Sequence, residues 1–380
     1  MSNKYTLPQT RKVSASPLLM RHLVVWGLPF LGWVILIVVW LNFSSSDNNT
    51  QPPTETVEEQ TATATQPQSL PTPSEAPVSP QSQTQTPIST PETPQPTTAQ
   101  TSSNDMYAFV EYDFTSAVSQ IGLAHEAACN TGILVEPATR KVLWAKGAAR
   151  AVPIASMTKM MTMLLTEESI AQGRISRDTV IPVTEAAYKI GGSQVWLDPR
   201  ESFPLSELLK AIAIKSANDA AFLVGEYLGN GSIDAFVQRM NTRATQLGMT
   251  HTTFYDAHGL GDSQKRNNLA SAYDMVLLAE RLLAYPEVMK LASTRMDTFR
   301  NGKLELKNHN NLVFNNVPGV DGLKTGYTEA SGFCVTFTCI RDNRRLIGCV
   351  TGFRTHKERD TFCRALLNWG YKQSNAKAIE

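Results

Sequence analysis

Ile154-Ala-Ser156-Met-Thr-Lys159-Met-Met161-Thr-Met-Leu164-Leu165 is the stretch on which the reading of this chain turns. It follows Pro153, and Met157, Met160, Met161, Leu164 and Leu165 recur at i, i+3, i+4, i+7 and i+8. That spacing predicts a helix with one buried stripe. Ser156 opens the helix and Lys159 follows three residues on, so both side chains share a face one turn apart. A hydroxyl and an amine so placed form a nucleophile and its base, and the helix N-terminus offers N–H groups to a developing oxyanion. Lys159 must be neutral to take a proton, and burial or a second cation nearby would lower its pKa. The plainer reading is a helix cap and a solvated lysine. Ser-x-x-Lys alone arises by chance about once in a chain this long. Ser374-Asn-Ala-Lys377, in the polar C-terminal stretch, is such a match.

Two later motifs, in order, set Ser156 and Lys159 apart. Ser216-Ala-Asn218 falls between apolar helical segments and predicts a tight connection. Its hydroxyl is suited to relay a proton and its amide to hold a substrate amide, although the same residues also cap helices. Lys324-Thr325-Gly326 lies in a strand bounded by glycines, where a substrate backbone can approach and Lys324 and Thr325 can bind a carboxylate. Lys324 is also the candidate cation for depressing Lys159. A phosphate loop is excluded because Leu323 stands where glycine is required.

Around these motifs the pattern alternates between strands and helices. A helix is expected over Ser116–Ala128, then strands over Gly132–Val135 and Lys141–Trp144. Helices are expected after Pro153, after Pro204, after a Ser232 cap with Gly248 as its stop, and near Ala270–Tyr285. Strands return at Thr298-Phe299 and Leu304–Lys307 about an Asn301-Gly302 turn. Further strands follow over Val320–Thr325, Gly332–Ile340 and Arg345–Thr351. Thr355-His-Lys-Glu358 is a capping box opening a last helix. The order gives an α+β class: an antiparallel sheet flanked by helices.

The 380 residues carry a net charge of +1, which leaves no electrostatic footprint for nucleic acid. Residues 23–43 are uncharged and apolar, and at about 1.5 Å per residue they span a bilayer core. Lys4, Arg11, Lys12 and Arg21 precede them and the next Lys or Arg is Arg140. The expectation is a cytoplasmic tail (1–22), a transmembrane signal-anchor helix (23–43) and everything beyond on the periplasmic or extracellular side of a bacterial inner membrane. Cleaved secretion is the alternative, since Ser44-Ser-Ser46 permits cleavage. Residues 44–105, rich in Pro, Thr, Gln and Ser, are expected to be a disordered linker reaching about 190 Å when extended. A folded domain is expected over 106–373 and a polar tail over 374–380.

The five cysteines show no zinc spacing and read as small buried hydrophobes. His125-Glu-Ala-Ala-Cys129 lacks the second histidine of a zinc motif, so neither metal nor cofactor is expected. His258 and His309 read as structural.

The ordered motifs, together with Gly191-Gly-Ser-Gln194, Leu247-Gly-Met249, His258-Gly-Leu260, Ala272-Tyr-Asp-Met275 and Val320-Asp-Gly-Leu-Lys-Thr-Gly326, resemble the serine D-alanyl-D-alanine carboxypeptidases, the low-molecular-mass penicillin-binding proteins. The likeness runs from about Gly132 to Gly370. It implies the fold shared by β-lactamases and penicillin-binding transpeptidases, with an all-helical subdomain. It implies that Ser156 attacks the penultimate D-Ala carbonyl of a peptidoglycan stem, with Lys159 as base and Ser216 as relay to the leaving D-Ala. Asn218 would orient the acyl peptide, and Lys324 and Thr325, followed by Gly326, would bind the terminal carboxylate. The N–H groups of Ser156 and Tyr327 would form the oxyanion hole, and β-lactam antibiotics would acylate Ser156. Two positions depart from the family pattern: Arg200 in a Pro-Gly-Glu turn, and Tyr273 where arginine is frequent. The family's frequent C-terminal β-domain is not expected after the closing helix, and the N-terminal span would do the anchoring instead. The alternatives are a β-lactamase, whose deacylating Glu-x-x-Leu-Asn string has only Glu280-Arg-Leu-Leu-Ala284 as a counterpart, and a non-catalytic wall-binding protein.

Overall fold

The computed structural model describes residues 111–375. The anchor at 23–43 and the linker at 44–105 lie outside them. Among the described residues no helix is long and apolar enough to cross a membrane.

Eleven strands are described: β1 (Gly132–Glu136), β2 (Lys141–Lys146), β3 (Val152–Pro153), β4 (Val180–Pro182), β5 (Ser202–Pro204), β6 (Leu269–Ala270), β7 (Met296–Phe299), β8 (Leu304–Lys307), β9 (Val320–Thr328), β10 (Gly332–Arg341) and β11 (Arg344–Phe353). The helices are α1 (Lys159–Ala171), α2 (Glu185–Tyr188), α3 (Leu205–Lys210), α4 (Asn218–Leu228), α5 (Ile233–Gln246), α6 (Ala272–Leu282), α7 (Pro286–Ser293), α8 (Asn311–Phe314) and α9 (His356–Asn375). Five strands form one sheet in the order β2-β1-β11-β10-β9, and every pairing in it is antiparallel.

Strand alternation divides the core. Ile133, Val135, Ile347 and Cys349 face a cluster built with the helices, including Met157, Met160, Leu164 and Met275. Leu134, Leu346 and Val350 face the opposite cluster with Trp144, Phe362, Leu366 and Leu367, which α9 closes. The sheet is thus covered by α9 on one face and by the helical block on the other, as an α+β sandwich requires. Ser232 caps α5 by accepting from Ala235 N–H, and Thr355 Oγ1 accepts from Glu358 N–H at 3.1 Å to open α9.

Three expectations are corrected. Ser116–Ala128 is not a helix; only Glu126–Ala128 form a 3₁₀ turn. The buried Glu126 carboxylate accepts from the N–H groups of Ile121, Gly122 and Leu123 and from Trp144 Nε1. These bonds replace the backbone ladder a helix would have used. The helix expected from Ser156 starts as a 3₁₀ turn over Ala155–Thr158, and α1 begins at Lys159. The closing helix continues to Asn375, into the stretch expected as a polar tail. All five cysteines are buried and free.

Candidate active site

The turn that presents Ser156 is strained. Ala155 sits at φ 46, a left-handed conformation that costs an L-residue energy and persists only when its surroundings enforce it. Thr158 Oγ1 donates to Ala155 O at 2.8 Å and accepts from Asn268 Nδ2 at 2.8 Å. Asn268 Oδ1 accepts from the N–H groups of Tyr255 and Asp256. Asp256 in turn accepts from the N–H groups of His258, Gly259 and Gly261. One polar network therefore fixes both the nucleophile's turn and the loop from 256 to 261 packed against it.

Lys159 is wholly buried. Its Nζ lies 3.0 Å from Ser156 Oγ, 2.6 Å from Asn218 Oδ1 and 2.5 Å from the carbonyl oxygen of His258. Asn218 Nδ2 donates to Gly191 O at 2.8 Å, which requires Oδ1 to be the atom facing Lys159. Burial holds the Lys159 pKa well below its ordinary value, and the charge of Lys324 adds to this, against Asp256 and Asp219. A neutral amine has two N–H groups and one lone pair. Asn218 Oδ1 and His258 O only accept, so they take the two N–H groups. The lone pair is left for Ser156 Oγ–H, which is the orientation of a general base.

Ser216 turns the chain between α3 and α4 in a left-handed conformation, φ 62, and lines the same cleft. Its hydroxyl makes no hydrogen bond among the described residues, so it stands beside Ser156 and Lys159 without being joined to them. Asn218 is the first residue of α4. Both ends of its amide are engaged within the protein, which makes it first of all a support for Lys159. The next residue, Asp219, accepts from Val195 N–H and Leu197 N–H at 3.1 and 3.2 Å, tying the 193–197 segment to the cleft wall.

β9 forms the opposite wall. Lys324 is buried, donates to Thr325 O at 3.1 Å, and is brought down to about 7 by burial and by the charge of Arg359. Gly326 is required by the protein itself. A Cβ there would lie 2.6 Å from Ile154 O and 3.2 Å from Ala155 Cβ, because β9 passes directly against the nucleophile's turn. Tyr327, 54% exposed, stacks on Phe333 with ring centroids 4.1 Å apart at the cleft rim.

The cleft holds about 500 Å³ and is lined by Ser156, Ser216, Asn218, Thr325, Gly326 and Tyr327 among others. A larger cavity of about 760 Å³ lies beside Arg174, Glu226 and Arg239, but contains none of the motif residues. The chemistry belongs to the smaller cleft. Sequence reasoning missed several of its members. Arg359 lines it from the first turn of α9, where the Thr355–Glu358 capping box is the signal that places it. His309 also lines it, and burial lowers it to about 4, leaving it neutral near pH 7. His258 contributes its backbone carbonyl, a role no side-chain pattern announces.

The two departures are accommodated. Arg200 pairs with Asp198 at 2.6 Å and Glu201 with Arg300 at 2.6 Å, keeping the turn closed by Glu201 N–H to Asp198 O. Tyr273 Oη accepts from Tyr112 N–H at 3.4 Å, and among the described residues it makes no hydrogen bond to a carboxylate. Glu280 binds Arg140 and Tyr112 Oη in α6 and is absent from the cleft lining, so it has no place as a deacylating base.

An antiparallel sheet under a helical block, with a serine hydroxyl 3.0 Å from a wholly buried lysine amine at their junction, is the arrangement expected of the serine–lysine class of penicillin-binding folds. Residues 116–355 match the D-alanyl-D-alanine carboxypeptidase family model, and the chain belongs to that family. It is 39% identical over 254 residues to D-alanyl-D-alanine carboxypeptidase DacF of Bacillus subtilis, covering 66% of this chain and 64% of that one. Against D-alanyl-D-alanine carboxypeptidase DacA of Escherichia coli it is 33% identical over 248 residues, covering 63% and 60%. The chain thus spans less than two thirds of the length of these relatives. Among solved structures it is similar to penicillin-binding protein 5 of Haemophilus influenzae, with TM-score 0.62 and 28% identity over 67% of this chain and 73% of that one. It is likewise similar to penicillin-binding protein D2 of Listeria monocytogenes in its ampicillin-bound form, with TM-score 0.59 and 28% identity over 64% and 97%.

Proposed function

We propose that this chain is a serine D-Ala-D-Ala carboxypeptidase that removes the terminal D-Ala from peptidoglycan pentapeptide stems. The observation that carries the reading is the amine of Lys159, wholly buried and 3.0 Å from Ser156 Oγ, with burial and the charge of Lys324 lowering its pKa. Lys159 takes the Ser156 proton as Oγ attacks the penultimate carbonyl. The N–H groups of Ser156 and Tyr327 receive the oxyanion. Lys324 and Thr325 bind the terminal carboxylate, with Lys324 charged. The peptide C–N bond breaks, and Ser216 relays the proton held on Lys159 to the leaving amine, which returns Lys159 to its neutral form. Water then releases the acyl group from Ser156. β-Lactams enter the same step as substrate mimics. The full-length chain is expected to release one D-Ala per pentapeptide, and penicillin is expected to add its mass at Ser156 in a mapped peptide. No D-Ala release together with no acylation would leave a wall-binding protein as the reading.

Residues 23–43 are proposed as a retained single-pass anchor that keeps the catalytic domain outside the cytoplasmic membrane. Their uncharged apolar run and the cations confined to its N-terminal side support this. N-terminal sequencing of the membrane-extracted protein should begin within residues 1–22; a start beyond Phe43 would show cleavage and secretion.

A further inference from the structure

Trp196 is the most exposed of the described large hydrophobic side chains, at 61%. Its backbone is left-handed, φ 52, which for a bulky residue is an outlier. Two anchors hold it there. Asp219 accepts from the N–H groups on either side, Val195 and Leu197. Arg300 donates to the carbonyl oxygens of Val195 and Trp196, at 2.5 and 2.6 Å, and is itself fixed by Glu201. Folding thus spends four backbone bonds on a conformation that carries an indole into solvent while Val195 and Leu197 are buried. Strain of this kind, enforced by the surroundings, marks function.

The placement says what the indole serves. Ser193 lines the reaction cleft, and three peptide units put Trp196 within about 11 Å of it. Arg300 stands at the turn between β7 and β8, and Lys307 at the other end of that hairpin also lines the cleft. Trp196 therefore stands between two segments that each reach the cleft, the chain from Ser193 and the β7–β8 hairpin. A stem bound at Ser156 by its last two residues leaves three upstream residues, up to about 10 Å when extended, with the saccharide beyond them, to run along this side of the cleft toward Trp196. A rigid aromatic face there offers apolar contact to what lies upstream of the scissile bond.

We propose that Trp196 is a positioning residue for the non-reacting part of the substrate, stacking on the upstream stem or its saccharide. This rests on the carboxypeptidase reading above and adds a binding subsite to it. The test compares two substrates of the full-length protein: an N-acylated tripeptide ending in D-Ala-D-Ala, too short to reach, and a disaccharide-pentapeptide. Trp196→Ala should raise KM about five- to tenfold on the long substrate with kcat unchanged, and Trp196→Phe should restore it. Both parameters on the tripeptide should stay within about twofold of wild type. Equal loss on both substrates, or no loss on the long one, overturns the proposal while leaving the carboxypeptidase reading standing. Absence of D-Ala release by the wild-type protein from either substrate removes both.

Discussion

Lys159→Met is expected to slow acylation of Ser156 by about ten-thousandfold while the protein remains folded. Methionine has nearly the length of lysine and suits a wholly buried position. It removes the one lone pair directed at Ser156 Oγ and leaves Asn218 Oδ1 and His258 O without a donor, at a cost of about 1–3 kcal/mol each. Against this, the desolvation that depresses Lys159 disappears with the amine. Thermal melting should therefore move little, and stopped-flow labelling by penicillin should fall almost as far as in Ser156→Ala. The wild-type pH profile supplies the sign. Acylation needs Lys159 neutral, so kcat/KM rises as pH climbs through its depressed pKa. It also needs Lys324 charged, so kcat/KM falls as pH climbs through about 7. Once a substrate carboxylate is bound it favours the charged amine, so the falling limb of kcat lies at higher pH than that of kcat/KM. Lys159→Met should erase the rising limb. Near-normal labelling by this variant would show that another group is the base.

The parts of the site legible in sequence were those whose chemistry fits within a few consecutive residues. Ser156 and Lys159 are held one turn apart by covalent spacing, and Lys324 to Gly326 by strand geometry, so their mutual arrangement needs little from the rest of the fold. Of the supports of Lys159, Asn218 falls within a motif, though that motif points to holding substrate; the other was not legible in that way. His258 acts through a carbonyl, which every residue has, and only the Asp256 network turns it toward Nζ. Arg359 and His309 come from distant segments; the capping box places Arg359 on α9, but nothing local turns it or His309 toward the cleft. The strands of the main sheet were legible because burial on both faces leaves continuous apolar runs. The segment at 116–128 was misread because its apolar spacing is satisfied by loop contacts that a single carboxylate, Glu126, organises. The two-residue strands β3 and β6 carry no periodicity at all, yet their pairing of Val152 with Ala270 sets the approach to the nucleophile's turn.

That turn makes Gly259→Ala the second variant with a large effect. Gly259 has φ 96, and a Cβ there would lie 2.1 Å from Ala155 O and 2.8 Å from Ser156 N. Backbone atoms cannot rotate aside, so the 256–261 loop and the nucleophile's turn must separate by about 1 Å to reach ordinary contact. Displacement of that size typically costs about a hundredfold in rate, and here it acts on Ser156 and on the His258 carbonyl that orients Lys159. Gly173→Ala supplies the comparison. Gly173 is also left-handed, φ 68, but no atom lies within 4 Å of its added Cβ. It should incur only the backbone penalty of about 1 kcal/mol, a melting shift of about 2–4 °C, with acylation unchanged. Gly259→Ala should lose at least about a hundredfold in penicillin acylation and melt lower than Gly173→Ala. If the two variants label alike, the contact between residue 259 and the nucleophile's turn does not set the position of Ser156, and the polar network through Asp256 and Asn268 must hold it alone.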